Sequence, residues 1–380
     1  MKKYWKLTLT LTGIIVLFIT FTLQKDRPIK ELPQYSFNTV EGDSSLLDDL
    51  QVIGDTYDMQ YNTYTEFKLT EQSFEKFELL PFYKQEAYQY LPNAIEKLKK
   101  EDKNFMRQKS FDDLYDINED YAAFITLSFS GVWYNYNELK VDIKDRKKDE
   151  YKEFTLNVKE DLQLNDITLD QMLIVEDYLY LTVTDYNATE DLYDEDIHLL
   201  TIDMEEERVI DSQELAHISD DGTGEENYEV DFVHNEEGSQ AAMALYYWGE
   251  HERELEKVIY FSGNNEKQVL DVSEGDLAAV ADDYLIFVNY ENGKSSVDFY
   301  SLTEEKFTEH IHLDEYHFVD NTVIEKDILY FTAVNDEIET KAALFAYDLY
   351  TFEPLYVGEI VPSKTDQRYA MSISALEFIH

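Results

Sequence analysis

Three histidines cluster near the end of the chain, His310, His312 and His317 in EHIHLDEYH, with Asp314 and Glu315 between them. In an extended strand His310 and His312 share a face, the spacing of two imidazole ligands for zinc or another transition metal. Zinc takes three or four protein ligands, and no third one falls on that face, so surface histidines are the better reading. A second, oxygen-rich stretch runs from Asp185 to Asp196. Asp185, Asn187, Thr189, Asp191 and Asp196 match positions 1, 3, 5, 7 and 12 of a calcium loop. Glu190 stands where that loop needs glycine, which favours an acidic loop between strands; no cofactor is expected, and calcium is the alternative at this stretch. Ser219 to Glu225 is a similar acidic glycine loop with less geometric claim.

Paired carboxylates could hydrolyse glycosides, given a fixed separation and divergent pKa values. With 81 acidic residues, pairs arise by chance and none is singled out. There is no G-x-S-x-G elbow, H-E-x-x-H helix, phosphate loop or dinucleotide fingerprint. Basic residues concentrate in one place. Pro81 to Ser110 has helical character, with Leu91, Ile95, Leu98 and Phe105 near one face and Glu96–Lys100 as an i,i+4 pair. It carries Lys97, Lys99, Lys100, Lys103, Arg107 and Lys109. A solvated helix packed by its apolar stripe is favoured, and a docking patch for an anionic polymer, lipid headgroups or an acidic partner is the sharper alternative.

The elements that would carry these residues repeat. Glu119-Asp120-Tyr121 precedes AAFITLSF, Glu176-Asp177-Tyr178 precedes LYLTVTDY, and Asp282-Asp283-Tyr284 precedes LIFVNY. Lys326-Asp327-Ile328 precedes LYFTAV, and Glu236-Glu237-Gly238 is a looser copy. The acidic pair suits a tight turn, and the β-branched and aromatic flanks suit strands. Each step leads to a second strand pair, clearest at 297–307 and 344–351, and Asn292-Gly293 is the strongest hairpin turn. Four strands recurring every ~45 to 60 residues is the pattern of a β-propeller blade. The expected fold is all-β, a propeller of six blades with seven as the alternative. The C-terminal strand at 369–378 and the strands at 57–80 are expected to combine into one composite blade, removing the open sheet edges.

Over residues 50–380 this pattern resembles bacterial extracytoplasmic β-propellers in general. Neither the WD dipeptide nor a kelch-type glycine pair is present, so the resemblance names no subfamily and implies no reaction.

The N-terminus supplies a location. Residues 7–24, LTLTLTGIIVLFITFTLQ, are uncharged and long enough to cross most of a bilayer core, behind Lys2, Lys3 and Lys6. The run lacks the small-residue cleavage pattern of a signal peptide, so an uncleaved anchor is favoured. The expected organisation is a cytoplasmic segment 1–6, a transmembrane anchor 7–24, a stalk 25–49 containing Pro28 and Pro33, and an ectodomain 50–380 with the helical insertion 81–110. The ectodomain then lies outside the cell membrane.

Composition sets the limits on function. No cysteine excludes disulfides, thiolate metal sites and a cysteine nucleophile. Thirty tyrosines, 22 phenylalanines and 44% hydrophobic residues supply a core despite a net charge of -49. That charge argues against nucleic-acid binding, because phosphates would be repelled. The favoured function is a membrane-tethered binding or scaffold module for a protein or envelope polymer. The alternative is a carbohydrate-processing enzyme using paired carboxylates in a propeller funnel.

Overall fold

Among the described residues the apolar runs between acidic turns fold into 25 strands, numbered β1–β25 in chain order, arranged as six antiparallel sheets. The structure, a computed structural model, describes residues 33–379 apart from 60–62, 77–92, 108, 110–113, 130–135, 189–192, 220–226, 236, 250–252, 264, 292, 336–340 and 365–368. Chain contacts divide it into two units, a larger one of 91–313 with 324–327 and a smaller one of 1–90, 314–323 and 328–380.

The larger unit holds four sheets, each a four-stranded meander. The first is β5 (Leu114–Ile117), β6 (Tyr121–Phe129), β7 (Tyr136–Asp145) and β8 (Glu150–Asn157). The second is β9 (Ile167–Val175), β10 (Tyr178–Ala188), β11 (Tyr193–Asp203) and β12 (Arg208–Ser219). The third is β13 (Asn227–His234), β14 (Ala241–Trp248), β15 (Arg253–Ser262) and β16 (Glu266–Leu270). The fourth is β17 (Asp276–Ala281), β18 (Tyr284–Glu291), β19 (Lys294–Ser301) and β20 (Lys306–Leu313). The sheets stack face to face in chain order. Leu139, Phe154 and Ile174 join the first to the second; Tyr180, Met243 and Phe261 join the second to the third; Tyr246, Leu277 and Phe287 join the third to the fourth. The first strands of consecutive sheets are neighbours. A middle strand therefore needs apolar residues on both faces, as in β14, where Ala241 to Tyr246 are all buried. Outer strands such as β8 are exposed over most of their length.

The acidic pairs form the expected turns. Val175 pairs with Tyr178 and Ala281 with Tyr284 across two-residue connections. Positive φ at Glu176, Lys326 and Asp327 gives the twist these hairpins require. The third sheet departs from this pattern with a six-residue loop between His234 and Ala241. There Asn235 accepts from the amides of Ser239 and Gln240, and Gly238 takes φ +68° against Asn118 of the first sheet. Gly293, at φ +78°, lies in the turn where Glu291 pairs with Lys294.

The smaller unit contains the composite sheet read from the two chain ends. β25 (Tyr369–Phe378) pairs with β2 (Leu50–Asp58), followed by β3 (Thr63–Leu69) and β4 (Phe74–Lys76). Its companion is β21 (Phe318–Glu325), β22 (Ile328–Asn335), β23 (Lys341–Asp348) and β24 (Pro354–Pro362), extended by β1 (Tyr35–Gly42) as a fifth strand. That fifth strand corrects the expected stalk, because the chain is folded from Tyr35 onward. Tyr35 is buried, with its ring stacked 4.9 Å from Phe67, and a short 3-10 turn at Ser44–Leu47 buries Leu47 under an Asp43 cap. Burying two such side chains stabilises the fold by roughly 3–6 kcal/mol, and the extended preference around Pro33 is compatible with the strand that follows.

Of the expected helical insertion 81–110, residues 81–92, 108 and 110 lie outside the described residues. Among the described residues its helix is α1 (Asn93–Glu101), with turns to Arg107. Ile95, Leu98 and Phe105 pack on Ala122 and Phe124 of β6, the apolar stripe read from the sequence, while Leu91 lies outside the described residues. Among the described residues no helix is long and apolar enough to cross a membrane, and the run 7–24 lies outside them.

Candidate functional site

The densest convergence of charge and aromatic surface is in the third sheet. Its register puts Glu229 opposite Tyr246, Asp231 opposite Ala244, and Trp248 opposite Arg253, so all these side chains share one face. Arg253 stands at the start of β15, and its guanidinium gathers three carboxylates. Nη2 is 2.6 Å from Asp231 Oδ2, Nη1 is 2.6 Å from Asp276 Oδ1, and Nε is 3.2 Å from Glu229 Oε2. The Nε contact is electrostatic, since its geometry makes no hydrogen bond. The guanidinium carbon lies 3.6 Å from the Tyr246 ring centroid, in cation–π range, and the Trp248 indole donates to Glu229 at 2.8 Å. The Tyr246 hydroxyl accepts from the Leu277 amide at 2.6 Å, which ties the start of β17 to the same point. Burial raises the Asp231 pKa, and the bond from Arg253 opposes that rise. Burial also raises the Tyr246 phenol well above its ordinary range. Three acids on one permanent cation make a cross-sheet clamp with residual negative charge. They do not form an acid–base pair with divergent roles, because each carboxylate is committed to the same guanidinium.

The second sheet offers a contrast. Asp170 of β9 keeps its side chain in contact with water, yet surrounding protein raises its pKa to about 6. Desolvation is the main cause and Glu195 adds to it, against hydrogen bonds from Thr184 Oγ1 (2.8 Å) and Thr168 Oγ1 (3.5 Å). In the smaller unit Asp320 of β21 is raised to about 6 by burial alone. Asp170, Glu229, Asp276 and Asp320 each stand five residues before the last residue of the first strand in their sheets.

No family model matches the chain, and no curated protein matches it. Among solved structures, the chain is similar to the β-propeller domain of the Trilobed protease from Pyrococcus furiosus, with 8% identity, 85% of this chain and 83% of that chain covered, and a TM-score of 0.38. Pyrococcus horikoshii acylaminoacyl peptidase gives 11% identity and a TM-score of 0.41 over 81% of this chain and 46% of that one. The chain thus spans under half of that peptidase. TolB from Acinetobacter baumannii gives 7% identity and a TM-score of 0.36 over 87% and 67%. The fold assignment therefore rests on the strand order and register of the six sheets.

The residues singled out from sequence fall as follows. The stretch 185–196 is a hairpin and not a wound loop, with β10 paired to β11 up to Ala188 and Tyr193. Asp185 and Asp196 are direct partners in that ladder. Asp185 is buried and accepts from the amides of Asn165 (2.9 Å) and Asp166 (3.0 Å), and Asp196 pairs with Nδ1 of His217. Asn187 is opposite Asp194, while Thr189 and Asp191 lie outside the described residues. Among the described residues no group of three His, Asp or Glu side chains could hold a metal.

His310 and His312 do share a face of β20, with near-parallel rings 6.4 Å apart. His310 Nδ1 lies 2.9 Å from Oδ1 of buried Asp298, whose other oxygen accepts from Asn289. Lys97, Lys99, Lys100, Lys103 and Arg107 are exposed on α1 and the turns after it. Lys109 is not one of them, being paired with Asp142 at 3.1 Å and placed 4.2 Å from the Phe105 ring centroid. Sequence reasoning missed the Arg253 clamp and the recurrent acid on the first strands. The available signal was the fixed distance of that acid from the turns.

Proposed function

We propose that the chain is a membrane-tethered, extracytoplasmic binding or scaffold module, built as a six-bladed propeller on the anchor at 7–24. The observation that carries this reading is the use of its ionisable groups. The carboxylates of the Arg253 centre are bound to one another's cation, and Asp298 and Asp185 orient neighbouring groups. Such groups shape and stiffen a surface, whereas hydrolysis needs an acid and a base free to exchange protons. The partner is a protein or an envelope polymer that reaches the outer membrane face, and nucleic acid is disfavoured by the net charge of -49.

The test is twofold. Crosslinking in intact membranes is expected to capture a defined partner, and the purified full chain is expected to show no turnover of glycans or esters. Glycan hydrolysis lost on both Glu229→Gln and Asp231→Asn substitution would establish the second reading, a carbohydrate-processing enzyme. That reading draws on the half-exposed Trp248 indole beside Glu229.

A further inference from the structure

We propose that the exposed face of α1 and its following turn docks on the anionic headgroups of the membrane that carries the anchor. This rests on the tethered reading above and gives the tether an orientation. Among the described residues the first strand starts at Tyr35, and ten residues, 25–34, lie between it and the end of the apolar run at Gln24. Fully extended they reach about 35 Å, so the folded body starts close to the bilayer and meets it at the high local concentration of a short linker.

Over most of its surface that body is repelled by anionic lipid, with 81 acidic residues against 32 basic. The stretch 97–107 is different. Lys97, Lys99, Lys100, Lys103 and Arg107 are all exposed there. Its two carboxylates are Glu101, which is exposed, and Asp102, which is turned inward. Asp102 accepts from the amides of Phe105 (2.9 Å) and Asn104 (3.2 Å) and pairs with Lys144 at 2.9 Å. Because Ile95, Leu98 and Phe105 hold the opposite side against β6, the cations are presented on a supported surface. Among the described residues Lys97, Lys103 and Arg107 form no ion pair, whereas Lys109 and Lys144 are taken up by acids within the fold. Each basic side chain brought to an anionic surface multiplies binding by roughly fivefold, so three to five of them orient a body already held there.

The absence of cysteine allows a direct test. Full-length protein carrying Asn104→Cys, labelled with a donor dye, is reconstituted in vesicles of neutral phosphatidylcholine or with about a third phosphatidylglycerol, each with headgroup acceptors. A second variant, Val269→Cys, labels the outer strand β16. Energy transfer from position 104 is expected to rise several-fold in anionic over neutral vesicles, and position 269 to show no such rise. The rise should vanish in 0.5 M salt and in a Lys97/Lys103/Arg107→Gln variant whose thermal unfolding is unchanged. Equal transfer in both lipids, or a rise that survives the glutamines, overturns the inference. A response of the position-104 dye to soluble poly(glycerol phosphate) without any response to lipid overturns it in favour of an anionic polymer. Protein that fails to float with either vesicle defeats the tethered reading and this inference together, while flotation without lipid-dependent transfer defeats the inference alone.

Discussion

The second and third sheets of the larger unit solve one electrostatic problem in opposite ways. Both place an acid five residues before the end of the first strand, Asp170 in β9 and Glu229 in β13, and β17 repeats this with Asp276. In the third sheet Arg253 compensates Glu229, Asp231 and Asp276 together. In the second sheet Asp170 has two threonine hydroxyls and, among the described residues, no cation paired with it, and its pKa rises to about 6. A hydroxyl helps a carboxylate by one neutral hydrogen bond, and a guanidinium brings a full charge and a fork of donors. An acid at the same distance from the strand end thus gives a clamp in one sheet, where Glu229 sits in a regular ladder, and a titratable group in the next, where Asp170 is the unpaired residue of a register shift.

The largest expected effect comes from removing the shared cation. Arg253→Ala leaves three neighbouring carboxylates uncompensated and exposes the Tyr246 ring. Breaking a fully buried pair costs about 3–5 kcal/mol, and the partial exposure of these acids brings the expectation to roughly 2–3 kcal/mol in urea unfolding at pH 7. The loss should shrink in acid, where Asp231, whose pKa burial raises, takes up a proton. If Arg253→Ala unfolds at the wild-type midpoint, the clamp is only a surface contact. A smaller effect follows from Tyr246→Phe, which keeps the ring under Arg253 but leaves the Leu277 amide without its acceptor. About 1–2 kcal/mol is expected, with the stability difference nearly independent of pH below 8.

Much of the fold was legible in the sequence, and most of this comparison was not. Turn positions could be read because Glu176-Asp177 and Asp282-Asp283 sit between apolar runs rich in β-branched and aromatic residues. The composite sheet was legible because 369–378 is a strand with no following partner. β1 escaped because YSFNTVEG, next to Pro33, reads as a polar linker until Tyr35 is seen against Phe67. Ligand positions counted along the chain assume a wound loop, whereas the ladder puts Asp185 directly across from Asp196, and Thr189 and Asp191 lie outside the described residues. The clamp was invisible because Glu229, Arg253 and Asp276 lie on separate strands and each alone reads as surface charge.

The uncompensated side of the comparison is tested by Asp170→Asn. Between an unfolded value near 3.8 and a folded value of about 6, the native state holds the proton more tightly than the unfolded chain. The contribution of Asp170 is therefore present below pH 3.8 and is lost as pH rises through 6. Asparagine should leave stability unchanged at pH 4 and raise it at pH 7.5, by less than about 1 kcal/mol because the side chain is solvated. A variant less stable than wild type at pH 7.5 would mean that the ionised carboxylate is needed there. Thr184→Val should push the Asp170 pKa higher still, because it removes a bond that favours the charged form.

The smallest effect separates a permanent cation from a switchable one. His217 of β12 stands across the ladder from Asp196, and the hydrogen bond between them raises the imidazole pKa above its ordinary 6.5. Burial opposes the rise, while Asp194 and Glu214 add to it. The protonated pair stabilises the hairpin fully below pH 6.5, and that contribution is lost as pH rises through the elevated folded value. A proton-detected titration of His217 should give a pKa above 6.5 that falls toward the ordinary value in Asp196→Asn. His217→Gln should be slightly less stable than wild type at pH 6 and indistinguishable from it at pH 9. Arg253→Ala should keep its deficit at pH 9, since the guanidinium does not titrate there. If both deficits persist at pH 9, the His217–Asp196 pair acts by packing and not by charge.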